Sequence, residues 1–154
     1  MKRFLYGLLI LLSASSLWAN EPVSTGFWSN TAIGGHDTLG YYEAGLTDSS
    51  PTTKGTKEFV VQWQGADWQF ASQASADKFA ANPQAYAPRY NGHCANALSL
   101  GEGLIPTDGS VWEFFGERLH LFYAERGRQR WLNGDWPVYQ VTADKAWQAL
   151  LAKP

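Results

Sequence analysis

The alternation of apolar and polar positions along the chain predicts two β-hairpins. Residues 58–63 and 68–71 are rich in β-branched and aromatic side chains, and the four residues between them include a glycine that suits a turn. Residues 111–115 and 119–123 show a similar pattern around another glycine, which stands first in a two-residue turn. These four segments therefore predict two antiparallel strand pairs.

Helical spacing of apolar residues, together with capping residues, predicts several short helices. An alanine-rich helix is expected over residues 73–82 with Ser72 as its N-cap, and shorter helices over residues 94–100 and 124–132. A last helix is expected to begin at Thr142. The chain shows no strand–helix–strand alternation and no internal repeat. The pattern indicates an α+β fold, a small single domain with two β-hairpins and several short helices.

The N-terminal residues have the three-part layout of a secretory signal peptide, predicted here as residues 1–19. Lys2 and Arg3 precede the apolar run 4–12, and small residues then lead to Ala19. The apolar run is shorter than the roughly 20 residues that cross a bilayer. We expect cleavage after Ala19, a periplasmic or secreted product, and no stable membrane insertion after cleavage. An uncleaved membrane anchor is the alternative.

The remaining chain is expected to form a flexible lead-in over residues 20–30 and one domain over residues 31–154, long enough to bury a sizeable core. Loss of the two basic residues of the signal leaves 10 basic residues against 14 acidic ones, a formal charge of −4. Nucleic-acid binding requires clustered Lys and Arg, so this acidity argues against a nucleic-acid partner. It also argues against docking to an anionic membrane surface.

Candidate chemistry centres on Cys94, the only cysteine, which cannot form an internal disulfide. His93 precedes it at a predicted helix start, where a protonated imidazole and the helix N-terminus both favour the thiolate. In the first part of the chain, Asp37 follows His36 and could orient its imidazole toward a metal. The alternatives are an inert buried thiol and an exposed turn histidine. His120 is predicted to be a partly buried strand residue.

The sequence carries no catalytic signature. It contains no GxSxG, HExxH, CxxC, P-loop or dinucleotide-binding fingerprint, and no two carboxylates stand out as an acid–base pair. Binding is therefore favoured over catalysis. A thiol-dependent redox enzyme that uses Cys94 as its nucleophile is the least favoured of three hypotheses, because the motif has neither a resolving cysteine nor an orienting Asn or Asp.

Several segments resemble the YHS domain family, in its exported bacterial single-domain branch. They are WQFAS at residues 68–72, NPQAY at residues 82–86 and GHCA at residues 92–95, with GHD at residues 35–37 similar to the start of the same pattern. The resemblance implies a small α+β domain, found alone in exported proteins or attached to heavy-metal-transporting ATPases.

The resemblance supports the fold more than it supports metal binding. Metal-associated relatives carry cysteines in the first segment and near the end of the first hairpin. At these positions the chain has Gly40, Ala71 and Ser75, none of which can act as a thiolate ligand.

Two binding hypotheses remain open beside the enzyme. The first is a module for a soft or borderline metal, copper or zinc, because thiolate and imidazole donors suit both. The second is a non-catalytic interaction or small-ligand module with an aromatic cleft, whose partner is a small molecule or a periplasmic protein. The candidate metal ligands are Cys94, His93 and His36, and the candidate pocket residues are Tyr41, Tyr90 and Trp68.

Overall fold

The computed structural model describes residues 19–43 and 52–154. The predicted signal peptide therefore lies outside the described residues, apart from Ala19. In the described part of the chain, no helix combines the length and the apolar character needed to cross a membrane.

Two antiparallel hairpins and five helices form the framework of the described residues, which confirms the predicted α+β class. Short 3₁₀ turns precede each hairpin along the chain. The elements are β1 (Thr56–Trp63), β2 (Ala66–Phe70), α1 (Gln73–Ala81), α2 (Pro83–Tyr86), α3 (Ala95–Ser99), β3 (Val111–Phe115), β4 (Arg118–Phe122), α4 (Glu125–Asn133) and α5 (Trp136–Leu151), with 3₁₀ turns at Ile33–Gly35, Thr38–Tyr42 and Arg89–Gly92.

The first hairpin and α1 follow from local sequence. Gln64 and Gly65 both have positive φ, 51° and 73°, as a tight two-residue hairpin turn requires. Ser72 caps α1, since its side chain accepts a hydrogen bond from the Ser75 backbone N–H at 3.1 Å. The helix packs on the hairpin through Phe79, whose ring stacks on Trp68 with centroids 5.1 Å apart.

Strand β4 separates two hydrophobic clusters. Leu119 and Leu121 point into the cluster that contains the first hairpin, and Phe122 points into the cluster beneath α4 and α5. The alternation of side chains along a strand accounts for this division. Both faces of β4 are covered, so every residue of the strand after Arg118 is buried. For this reason His120, predicted to be partly buried, is completely buried.

The last helix begins earlier than the sequence suggested. Asp135 is the N-cap of α5, and its side chain accepts a hydrogen bond from the Val138 backbone N–H at 3.4 Å. Pro137 in the first turn also favours a helix start there. The prediction that the helix begins at Thr142 was wrong. The Thr142 hydroxyl instead donates to the carbonyl of Val138 within the helix, at 3.2 Å.

The structure contains a repeated turn that the sequence analysis missed. We call residues 33–36 the first histidine turn and residues 90–93 the second. In each, three consecutive residues have positive φ, from 44° to 77° in the first and from 50° to 87° in the second. An extended histidine follows, and Nδ1 of His36 or His93 lies 3.1 or 3.0 Å from the carbonyl oxygen three residues earlier. The sequence analysis did not reveal this likeness, because the two turns share only a Gly-His pair.

The two histidine turns lie against each other and are joined by Ser24. The backbone N–H of Ser24 donates to Asn91 at 3.0 Å, and its carbonyl accepts from Ile33 at 2.9 Å. Its hydroxyl accepts from the Thr107 N–H at 2.8 Å. Ser24 is completely buried. Part of the segment 20–30, expected to be a flexible lead-in, is therefore packed into the structure.

Candidate functional site

A polar cleft of about 350 Å³ opens beside the second histidine turn. The segment around this turn forms its floor, while α5 and the ends of β1 and β4 contribute its sides. It is built from five parts of the chain that are far apart in sequence. The lining residues are Glu21, Trp63, Gln84, Ala87, Pro88, Arg89, Tyr90, Asn91, Arg118, Asp144, Trp147 and Gln148.

A hydrogen-bonded unit of three side chains forms the floor of the cleft. Arg89 binds the Asp144 carboxylate in a bidentate manner, with Nε 3.0 Å from Oδ1 and Nη2 2.8 Å from Oδ2. The Tyr90 hydroxyl donates to the same Oδ1 at 2.8 Å. Such planar, charge-assisted contacts are stronger and more directional than neutral hydrogen bonds. Asp144 thereby ties the second histidine turn to α5.

The protonation states of this unit follow from its surroundings. Burial raises the pKa of the Tyr90 phenol, and the Asp144 carboxylate raises it further, so Tyr90 remains a hydroxyl donor. Burial alone would lower the pKa of Arg89, but the hydrogen bond and the charge of Asp144 outweigh it and the net shift is upward. Arg89 therefore remains cationic beside Asp144.

Two tryptophans form rigid walls of the cleft. Trp63 packs edge-on against Trp68 and Phe79, with ring centroids 5.6 and 5.9 Å apart. Trp147, on α5, lies 6.0 Å from the Tyr90 ring. Because both indoles are anchored in the hydrophobic clusters, their remaining surfaces can contact a ligand at little cost in side-chain entropy.

The predicted pocket residues divide between the cleft and the core. Tyr90 lines the cleft, as described above. Tyr41 is buried, and its hydroxyl donates to the Gly109 carbonyl at 2.6 Å. Trp68 is also buried, and its indole N–H donates to the Trp63 carbonyl at 3.1 Å. Tyr41 and Trp68 therefore hold the fold together, and Trp68 supports the cleft only through Trp63.

The thiol of Cys94 is buried, with 3% of the residue exposed. Cys94 is the N-cap of α3, and its Sγ accepts a hydrogen bond from the Ala97 backbone N–H at 3.5 Å. His93 precedes it in extended geometry and packs near Trp147, with ring centroids 6.1 Å apart. The predicted helix near this cysteine is confirmed, but the thiol serves as its cap.

His36 belongs to the first histidine turn and packs against Tyr41, with ring centroids 6.0 Å apart. Burial lowers its pKa, and a hydrogen bond with the Ile33 carbonyl partly offsets this effect. Asp37, expected to orient the imidazole, instead accepts hydrogen bonds from the backbone N–H groups of Leu39 and Ala71, at 2.9 and 3.0 Å. The carboxylate therefore stabilises the backbone of the turn.

The donor side chains in the described part of the chain are too dispersed to form a metal cluster. Within residues 19–43 and 52–154, no group of three or more His, Cys, Asp and Glu side chains could hold a metal ion. His120 is enclosed by aromatic rings, and burial lowers its pKa to about 4. The donors described here do not fit a site with three or four protein ligands, the number typical of zinc.

A larger cavity of about 610 Å³ lies on another face, beside Phe27 and Tyr123. These two aromatic residues are 88% and 71% exposed, so they stand outside the packed core. Asp108 is the one charged side chain among the described residues that line it. The cavity therefore lacks the hydrogen-bonded polar floor that distinguishes the Tyr90 cleft.

These features describe a small α+β domain with a polar cleft between its second histidine turn and its last helix. The family model for the YHS domain matches residues 46–90, so this segment of the chain is similar to the YHS domain. The match covers the first hairpin, α1 and α2 and ends at Tyr90, at the edge of the cleft. No characterised protein and no solved structure matches the chain.

The sequence analysis missed most of the residues of the cleft. Asp144 lies 54 and 55 positions from its partners Tyr90 and Arg89. A single carboxylate on a predicted helix does not indicate which distant arginine it will meet. The adjacent Arg89-Tyr90 pair, just before the glycine of the second histidine turn, is the local signal that could have directed attention to this site.

Proposed function

We propose that this protein is an exported binding module that holds a small ligand in the Tyr90 cleft and performs no chemistry on it. The observation that carries the proposal is the floor of the cleft, where Arg89, Tyr90 and Asp144 are bound to one another beside two anchored indoles. Ligand sites commonly combine apolar walls with a few oriented polar groups. A floor that is already hydrogen-bonded needs no reorganisation when a ligand arrives.

Two further features favour binding over catalysis. Asp144 accepts three hydrogen bonds and is paired with an arginine, so it is poorly suited to abstract a proton. The Cys94 thiol caps a helix in the interior and is not among the described residues that line the cleft. A reaction would require a nucleophile or a base with access to the ligand.

The ligand site is tested by obstructing the cleft from an exposed position. Gln148 lines the cleft from α5, whereas its exposed neighbour Ala149 does not. We expect a panel of carboxylates, phosphates, amines, zwitterions and uncharged aromatics to include compounds that quench tryptophan fluorescence and bind in calorimetric titrations. Gln148→Trp should abolish this binding, and Ala149→Trp should preserve it. Absence of binding across the panel, or equal effects of both variants, would contradict the proposal.

Export is the second part of the proposal and rests on the basic start, the short apolar run and the small residues that end at Ala19. Expression of the full chain in a bacterial host should yield a periplasmic product whose mass begins at Asn20. The matched control replaces Lys2 and Arg3 by Glu, which should retain the unprocessed chain in the cytoplasm. A wild-type product that keeps Met1 in the cytoplasm would contradict export.

Metal binding through Cys94 is a second candidate, favoured by the arrangement of the second histidine turn. Nδ1 of His93 contacts a carbonyl oxygen and must carry the proton there, so Nε2 keeps its lone pair. Thiolate and imidazole suit copper or zinc. Titration with Zn²⁺ and Cu⁺ should then give binding that Cys94→Ser removes and that His120→Asn leaves in place. Equal affinities of the wild-type protein and Cys94→Ser would contradict this candidate.

A further inference from the structure

Four ionised side chains line the Tyr90 cleft, and only two of them neutralise each other. Arg89 and Asp144 form the bidentate pair of the floor. Glu21 and Arg118 remain, and within residues 19–43 and 52–154 neither has an ion-pair partner. The Glu21 carboxylate accepts one neutral hydrogen bond, from the Asn91 amide at 3.2 Å. The cleft therefore presents one uncompensated negative charge and one uncompensated positive charge.

Each uncompensated charge lies in surroundings that suit a ligand group. Glu21 lines the cleft together with Trp63, and a carboxylate beside an indole face is a favourable place for an ammonium group. Arg118 is exposed at the start of β4. The planar fork of N–H donors on its guanidinium matches the geometry of a carboxylate or phosphate.

Hydrogen bonds fix the backbone near Glu21. The backbone N–H of Glu21 donates to the side-chain oxygen of Gln64, in the turn of the first hairpin, at 2.8 Å. Asn91 also donates to the carbonyl of Pro22, at 3.3 Å. The segment thus lies between the first hairpin and the second histidine turn, and three residues later Ser24 is buried.

We propose that the cleft binds a small zwitterion, with its anionic group at Arg118 and its ammonium group between Glu21 and the indoles. This inference rests on the proposed ligand-binding function and specifies its ligand class. The anionic group is a carboxylate, as in a betaine or an amino acid, or a phosphate ester, as in phosphorylcholine. A cleft of about 350 Å³ is near the small end of ligand sites, which span roughly 300–1,000 Å³, so the ligand is a compact molecule.

Calorimetric titration of the purified protein tests the ligand class with matched probes. Glycine betaine and phosphorylcholine carry both charges, acetate carries only the anion, choline only the cation, and glycerol neither. We expect at least one zwitterion to bind about tenfold or more tightly than acetate and choline, because it makes charge-assisted contacts at both of its ends. The tighter binder of the two zwitterions shows whether the anionic group of the ligand is a carboxylate or a phosphate.

Charge-removing variants assign each end of the ligand. Arg118→Gln should weaken zwitterion binding about tenfold and leave choline binding unchanged, whereas Glu21→Gln should weaken binding of the zwitterion and choline but not acetate. Arg126→Gln and Glu102→Gln, which remove exposed charges outside the cleft, are the matched controls. Thermal unfolding of all four variants checks that they remain folded.

The outcomes separate the ligand class from the binding function. Binding of acetate, choline or an uncharged compound as tight as that of the zwitterions, or zwitterion binding unaffected by both cleft variants, would overturn the zwitterion proposal while leaving the cleft as a ligand site. If the zwitterions do not bind but other compounds of the broader panel do, the zwitterion proposal is also overturned and the cleft remains a ligand site. Failure of every compound would overturn the proposed function itself.

Discussion

The two histidine turns have the same backbone and the same imidazole contact, yet they have different neighbours. After the first histidine stands Asp37, whose carboxylate accepts backbone hydrogen bonds from Leu39 and Ala71. After the second stands Cys94, whose sulfur accepts a single long hydrogen bond. The carboxylate of Asp37 thereby fixes the first turn to the segment between β2 and α1. The second is held mainly by packing, by backbone contacts through Ser24 and by the ion pair of Arg89 with Asp144.

The elements that follow the two turns also differ in one informative respect. Each turn is followed along the chain by a hairpin and then by a helix, α1 or α4. Each of these helices has a buried aromatic residue seven positions after its N-cap: Phe79 follows Ser72, and Trp131 follows Ala124. The first half then ends in the single turn of α2, whereas the second ends in the 16-residue α5. The longer helix carries Asp144 to the second turn. The greater length of α5 thus supplies one side of the cleft, with Asp144, Trp147 and Gln148.

The largest expected difference concerns the last glycine of each turn. Gly92 and Gly35 both have positive φ, 87° and 77°, so alanine at either position costs roughly 1–2 kcal/mol. A Cβ on Gly92 would also lie 2.4 Å from Cγ2 of Ile33, and such overpacking adds about 1–3 kcal/mol. A Cβ on Gly35 would meet the movable end of Gln69 at 3.0 Å.

Urea unfolding of Gly92→Ala and Gly35→Ala measures this difference. We expect Gly92→Ala to lose roughly 2–5 kcal/mol of unfolding free energy and Gly35→Ala about 1–2 kcal/mol. Equal losses would show that the close contact between the second turn and Ile33 is not what distinguishes the two sites.

The next difference concerns the residue after each histidine. Asp37→Ala leaves the N–H groups of Leu39 and Ala71 without their acceptors and should cost roughly 2–3 kcal/mol of unfolding free energy. Cys94→Ala removes one weak cap and should cost about 1 kcal/mol. Asp37→Asn, which keeps one acceptor oxygen, should fall between them. A larger loss for Cys94→Ala than for Asp37→Ala would mean that the thiol has a structural role beyond capping.

The smallest difference is expected in the protonation of the two histidines, His36 and His93, whose imidazoles should titrate alike. Burial lowers the pKa of His36 and of His93 below 6.5, and the carbonyl hydrogen bond only partly offsets it. The unfolded chain therefore takes up protons near pH 6.5 that the folded protein does not. The stability that these neutral imidazoles contribute is complete above pH 6.5 and is lost as the pH falls below it.

Two measurements check this expectation. Nitrogen chemical shifts should place the proton of both imidazoles on Nδ1, since each Nδ1 faces a carbonyl oxygen. Replacing His36 or His93 by Asn should make unfolding free energy less dependent on pH below 6.5, by a similar amount in the two variants. A proton on Nε2 in one turn only would show that the two turns are not equivalent.

The sequence predicted local structure well where neighbouring residues decide it. Both hairpins were predicted to within two residues, because turn glycines and β-branched runs act over short distances. The start of α5 was misplaced because Thr142 and Asp135 are both acceptable caps in sequence. Only the exposed position of Thr142 on an already formed helix shows which of them is used.

The candidate site was predicted less completely. Of the three predicted pocket residues, Tyr90 lines the cleft, whereas Tyr41 and Trp68 are buried in the core. Aromatic character does not by itself distinguish a wall from a core, because both require a large apolar surface. The ion pair of Arg89 with Asp144 was not predicted, since 55 positions separate the two residues.

The amino-acid sequence by itself determined the α+β class, the two hairpins and the YHS resemblance, because each depends on residue patterns within a short segment. Only the tertiary structure decided that the two histidine turns are alike, that the Cys94 thiol is a buried cap, and that Arg89, Tyr90 and Asp144 meet. The physical reason is that burial and ion pairing depend on which distant segments pack together. The two histidine turns, in turn, have the same backbone conformation although only their Gly-His pair is identical in sequence.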